Sequence, residues 1–143
     1  MVGMSFAENT SQPAGSKKDA GYDVGVRETV DLPLPVVWQF LLSRGVPIWL
    51  GDGEFRTTRA FKYAMADGVR GEVLAYSEGS KVRVSWRPDD WPHDTVLQIS
   101  VKEVENGTTI TIRHLELADR EERRLMLGHW KNVVGALANA LSR

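Results

Sequence analysis

Three histidines, His93, His114 and His129, are the side chains of this chain best suited to moving a proton near neutral pH, and no cysteine accompanies them. Without thiols, disulfides, thiolate metal sites and thiol nucleophiles are excluded together. No histidine stands at a metal-ligand spacing from another histidine or a carboxylate, so no metal site is expected. The chain has no Gly-x-Ser-x-Gly elbow, and Gly51-Asp52-Gly53 lacks the length and the Lys-Ser/Thr ending of a phosphate loop. No catalytic residue and no cofactor is assigned.

The second chemical resource is aromatic. Tyr63, Trp86 and Trp130 fall in one inward phase with Phe61, Met65 and Met126 beside them. His114 shares the phase of Ile110 and Ile112, which aims its imidazole the same way. The ordinary reading is core packing, with a buried imidazole satisfied by a protein partner. The functional reading is a concave apolar site in which Tyr63, Trp86 and His114 supply the few polar contacts. Trp49, Leu97, Ile99 and Ile112 complete that expected lining. A proton-moving role would fall to His114 or to Glu28, the other ionisable residue read as inward. His93 is read into the loop Pro88–Asp94 and His129 onto an exposed helix surface. The run Arg120–Arg124, alternating in charge, reads as a solvated face.

Elements must hold these residues in place. Val24, Val26 and Val30 share a parity that predicts a first strand from Tyr22 to Leu32. Pro33 and Pro35 end it, and Val37, Trp38, Leu41 and Leu42 form the apolar stripe of a short helix stopped by Gly45 and Pro47. Val46 to Leu50 reads as a turn or a second short helix. Alternating runs then predict a meander over Phe61–Met65, Val69–Ser77, Lys81–Arg87, Thr95–Val104 and Thr108–Leu117. Asp67-Gly68 and Asn106-Gly107 are hairpin signals within it. The period then changes. Asp119 caps a helix whose Met126, Trp130, Val133, Leu137 and Leu141 recur on one face. Gly128 and Gly135 in that helix read either as tolerated or as marking a close approach.

The 143 residues suit one domain, and residues 1–21, rich in Ser, Gly, Asn, Gln and Lys, read as a flexible tail. A net charge of −1 without a basic block gives nucleic-acid binding little electrostatic support. No apolar run approaches a membrane span, and no secretory leader is read at the N-terminus, so a cytoplasmic location is expected.

The order of strand, two short helices, antiparallel meander and long final helix resembles the helix-grip fold of the START/Bet v 1-like superfamily. Leu32–Leu41, Trp49, Gly71–Trp86, Asn106–His114 and Leu127–Leu141 are similar, in order and spacing, to the activator of Hsp90 ATPase homologue family. Two departures are local: family members carry proline near Ser77-Glu78-Gly79, and a plain Gly-Trp pair where this chain has Gly128-His129-Trp130. The resemblance implies an α+β fold of six to seven strands curved around the last helix. It also implies a small hydrophobic or polyketide-like ligand, with a cyclase or aromatase-type activity or an Hsp90 partner as alternatives.

Overall fold

In the computed structural model, which describes residues 22–142, alternation of valines with polar residues produces the first strand, β1 (Tyr22–Val30). The segment read as a tail, residues 1–21, lies outside the described residues. Two short helices follow, α1 (Leu34–Leu41) and α2 (Val46–Trp49), each with a proline in its first turn, where a missing amide hydrogen costs nothing. Phe40 joins the buried stripe of α1 beside Val37, Trp38 and Leu41.

The meander consists of β2 (Lys62–Ala64), β3 (Arg70–Ser77), β4 (Lys81–Trp86), β5 (Thr95–Val104) and β6 (Gly107–Leu117). These strands and β1 form a six-stranded antiparallel sheet in the order β1-β6-β5-β4-β3-β2. On β4, Val82, Val84 and Trp86 are buried while Lys81 faces water, which is the expected split between a wet and a dry face. Asn106-Gly107 is a turn signal displaced by one residue: Glu105 and Asn106 form the loop, and Gly107 already pairs with Val104. Its φ of +143°, with the Val30 carbonyl oxygen lying where a Cβ would go, admits only glycine.

The long helix α3 (Arg120–Leu141) starts at Asp119, whose carboxylate accepts the Glu122 amide hydrogen at 2.8 Å. Glu122 reciprocates by accepting from the Ala118 amide at 2.9 Å, so two otherwise orphaned donors are satisfied. Replacing Asp119 by alanine is expected to cost about 1 kcal/mol, read as a lowered urea midpoint. Trp130, Val133, Val134 and Leu137 are buried along the inner face, while Met126 and Leu141 are half-buried.

α3 packs closely on β1 and β6 and against α2. The inner faces of β2, β3 and β4 are therefore covered by large side chains rather than by the helix backbone, which leaves a wedge filled with aromatics. The close-approach reading of Gly128 and Gly135 is corrected here: a Cβ at either would meet nothing within 4 Å. Glu28 is corrected too. It shares the parity of the buried valines but is exposed on the edge strand, so it offers no inward carboxylate.

Candidate functional site

The wedge is organised around His114, which is completely buried. The Trp130 indole N–H donates to its Nδ1 at 2.9 Å. With Nδ1 acting as acceptor, Nε2 carries the proton and donates to Thr95 Oγ1 at 2.7 Å; that hydroxyl donates in turn to the Trp86 carbonyl at 2.7 Å. The relay runs across α3, β6, β5 and β4. Burial, with the charges that His129 and His93 carry when protonated as lesser causes, pushes the His114 pKa down to about 3. Both ring nitrogens are committed and the ring is held neutral, which argues against a role for His114 as a ligand handle or proton carrier.

Three tryptophan rings close around it. The Trp86 ring stands edge-on to His114 at 4.7 Å, to Trp130 at 5.8 Å and to Trp91 at 5.6 Å between centroids. Trp91, half-buried in the β4–β5 loop, stacks with His114 at 6.4 Å and with His93 at 5.5 Å. His93 reaches α3, where its Nε2 lies 2.9 Å from a Glu122 carboxylate oxygen. The hydrogen bond to Glu122 raises the His93 pKa above its ordinary value, while Arg87 opposes the charge. Helical spacing places Glu122, Met126 and Trp130 successively on one face of α3, where Glu122 meets His93 and Trp130 meets His114.

Tyr63 anchors the far wall. Its hydroxyl donates to the Ser85 carbonyl across Gly71, and burial, reinforced by Asp94, raises its pKa. Phe55 stands between Tyr63 and Trp49 in edge-on contact with both, at 6.0 and 5.7 Å. The Trp49 indole N–H donates to the Leu41 carbonyl at 2.7 Å, tying this cluster to the end of α1.

The sequence-predicted lining thus separates into two layers. Leu97, Ile99, Ile112, His114 and Trp130 are at most 1% exposed. Trp49, Tyr63, Met65 and Trp86 are 3–5% exposed, and Phe61 and Met126 are half-buried. Sequence reasoning missed Trp91, Phe55 and the His93–Glu122 pair, although the isolated tryptophan in Pro88–Asp94 was a usable signal. The solvated-face reading of Arg120–Arg124 holds for Glu121 and Arg124, an exposed pair at 2.6 Å. It fails for Glu122, which holds His93, and for Arg123, whose Nε donates to the Asp23 carbonyl at 2.9 Å. No group of three or more potential metal-ligating residues occurs among the described residues, and no described helix is long and apolar enough to cross a membrane.

A pH dependence follows from His114. Its pKa in the folded state lies below the ordinary 6.5, so the unfolded chain takes up this proton first as pH falls. The stability it supports is full above pH 6.5 and is lost progressively toward about pH 3. The limiting slope is about 1.4 kcal/mol per pH unit. Denaturant titrations between neutrality and about pH 5 should show stability falling ever more steeply towards this slope in the native chain, and a flatter fall in H114Q.

Comparison with known proteins places this geometry. A family model described as activator of Hsp90 ATPase homolog 1-like protein matches residues 33–142. No curated protein matches. The fold superposes on the crystal structure of DynU16, a protein in the dynemicin biosynthetic locus, with a TM-score of 0.74 at 20% identity, covering 84% of this chain and 47% of that one. This chain thus spans about half the length of DynU16. CalU16 from Micromonospora echinospora gives a TM-score of 0.73 at 16% identity, over 83% of this chain and 73% of that one. The Aha1 dimer from Colwellia psychrerythraea gives 0.71 at 16%, over 84% and 96%. At such identities the likeness is one of fold.

Proposed function

We propose, from the premise that this chain belongs to the activator of Hsp90 ATPase homolog 1-like family, that it binds a small apolar or aromatic molecule in the wedge between α3 and strands β2 to β4. The observation that carries this reading is the arrangement of the wedge. A fully buried innermost layer is bordered by half-buried, adaptable side chains, Trp91, Met126, Phe61 and Phe55. The polar atoms of His114 and the Tyr63 hydroxyl are spent on protein partners, so the ligand is recognised mainly by shape and apolar contact. The same commitment favours binding over a cyclase-type reaction, because the inward residue suited to moving a proton is engaged at both nitrogens.

Native mass spectrometry of protein purified without refolding, combined with a thermal-shift series of fatty acids and polycyclic aromatics, tests the reading. A ligand at a hundredfold excess over its Kd stabilises by about 2.7 kcal/mol, which such a scan resolves. Absence of any co-purified molecule together with unchanged melting across the series would end it.

The family description favours a second reading, contact with the Hsp90 chaperone. One structural neighbour, from Plasmodium falciparum, is described as an HSP90 activator, with a TM-score of 0.60 at 16% identity over 70% of this chain and 76% of that one. An Hsp90 ATPase rate unchanged at saturating protein would remove this reading.

A further inference from the structure

His93 and His114 both stack with the Trp91 ring, and their partners demand opposite protonation states. At His114 one partner is a donor, the Trp130 indole, so Nδ1 must be bare. At His93 both partners are acceptors: the Glu122 carboxylate at 2.9 and 3.1 Å from Nε2, and the Asp94 carbonyl at 3.1 Å from Nδ1. A neutral imidazole has one N–H and satisfies only one of them; the imidazolium satisfies both. A cation stacked 5.5 Å from the Trp91 centroid also gains from the ring face.

We propose that the segment Pro88–Asp94 is a lid over the aromatic wedge, latched to α3 by protonated His93 on Glu122 and released when His93 loses that proton. The lid is hinged at its β4 end, where Arg87 Nε donates to the Trp91 carbonyl at 2.8 Å and Arg70 pairs with Asp89 at 2.9 Å. Its other end, which runs into β5 at Thr95, carries His93. Between them Trp91 covers Trp86 and His114, so lifting the lid uncovers the innermost layer. The groups facing His93 are Glu122 from α3, Arg87 just after β4, His114 from β6 and Asp94 on its own loop. Of these, Glu122 decides, because its carboxylate is pinned by the Ala118 amide and cannot follow a departing loop without uncapping the helix. The raised His93 pKa agrees in direction: the latch is complete below pH 6.5 and lost as pH rises through the raised value.

As a gate, the lid rests on the binding reading above; as a latch, it is tested without any ligand. Histidine ring and tryptophan indole signals followed by NMR from about pH 5 to 9 should show His93 and Trp91 titrating together, with a midpoint above 6.5. E122Q and H93N should abolish the Trp91 transition while His114 stays neutral. A His93 midpoint at or below 6.5, or a Trp91 signal that ignores pH or survives in H93N, overturns the latch. Release of the apolar probe 8-anilinonaphthalene-1-sulfonate, followed by stopped flow, should be about tenfold faster on the alkaline side and pH-independent in H93N. PH-independent release from the native chain overturns the gate. No binding of the probe at any pH counts against the wedge as a ligand site and leaves the NMR result to judge the latch.

Discussion

Replacing Trp130 by alanine is expected to remove about 4 kcal/mol or more of unfolding free energy. The side chain is 0% exposed, packs edge-on against both Trp86 and His114, and donates the hydrogen bond that fixes the His114 tautomer. Truncating a buried tryptophan costs about 3–5 kcal/mol in lost contacts and residual cavity. The bare Nδ1 of His114 then sits buried without a donor, a further penalty of about 1–3 kcal/mol. Against a typical total of about 5–15 kcal/mol, the variant stands close to unfolding. Urea denaturation followed by far-ultraviolet circular dichroism measures the loss. W130F separates the two contributions, since it keeps most of the packing and removes the donor, at an expected cost of about 1–3 kcal/mol. If W130F melts like the native chain, the relay contributes nothing to stability.

The second large effect is expected at Gly71, from the addition of a single methyl group. A Cβ there would overlap the Ser85 carbonyl oxygen, lie 2.7 Å from the Ser85 carbonyl carbon and lie 2.8 Å from the Tyr63 hydroxyl oxygen. Both obstacles are fixed: one is backbone of β4, and the other is held by its own hydrogen bond to that backbone. Relief requires β3 to separate from β4 or Tyr63 to release Ser85, and G71A should cost about 3 kcal/mol. G128A and G135A provide the contrast. Their methyl groups meet open space, and removing a helical glycine should stabilise by up to about 1 kcal/mol each. Parallel urea curves would decide, and a G71A midpoint matching that of G128A would refute the close packing of Tyr63 over Gly71.

Where periodicity and capping carry information, the sequence led directly to the fold. The parity of Val24, Val26 and Val30, the stripe from Trp130 to Leu137 and the Asp119 cap all stand in the structure as read. These are local signals, in which each residue reports its own environment through its neighbours in the chain. Glu28 shows where parity stops being enough: an edge position can share the phase of the core and still face water. The chemistry of the wedge was less legible because it lies in pairings between distant residues. Nothing near His114 in sequence indicates that Trp130 donates to it, and nothing near His93 indicates Glu122. The commitment of both His114 nitrogens, which bears on the choice between handle and structural core, therefore appears only in three dimensions.

The pairing of the first strand with the last has a consequence for how the chain is made. Tyr22 meets Leu117 and Val30 meets Thr108, so β1 finds its partner only after nearly the whole meander has been synthesised. At ordinary elongation rates β1 waits on the order of ten seconds with its valine face unpaired. Long-range pairing of this kind also slows folding, since a large loop must close before any contact rewards it. The exposed run Arg27-Glu28-Thr29, which does nothing for the core, interrupts the valines at that moment and lowers the apolarity that would favour association with other chains.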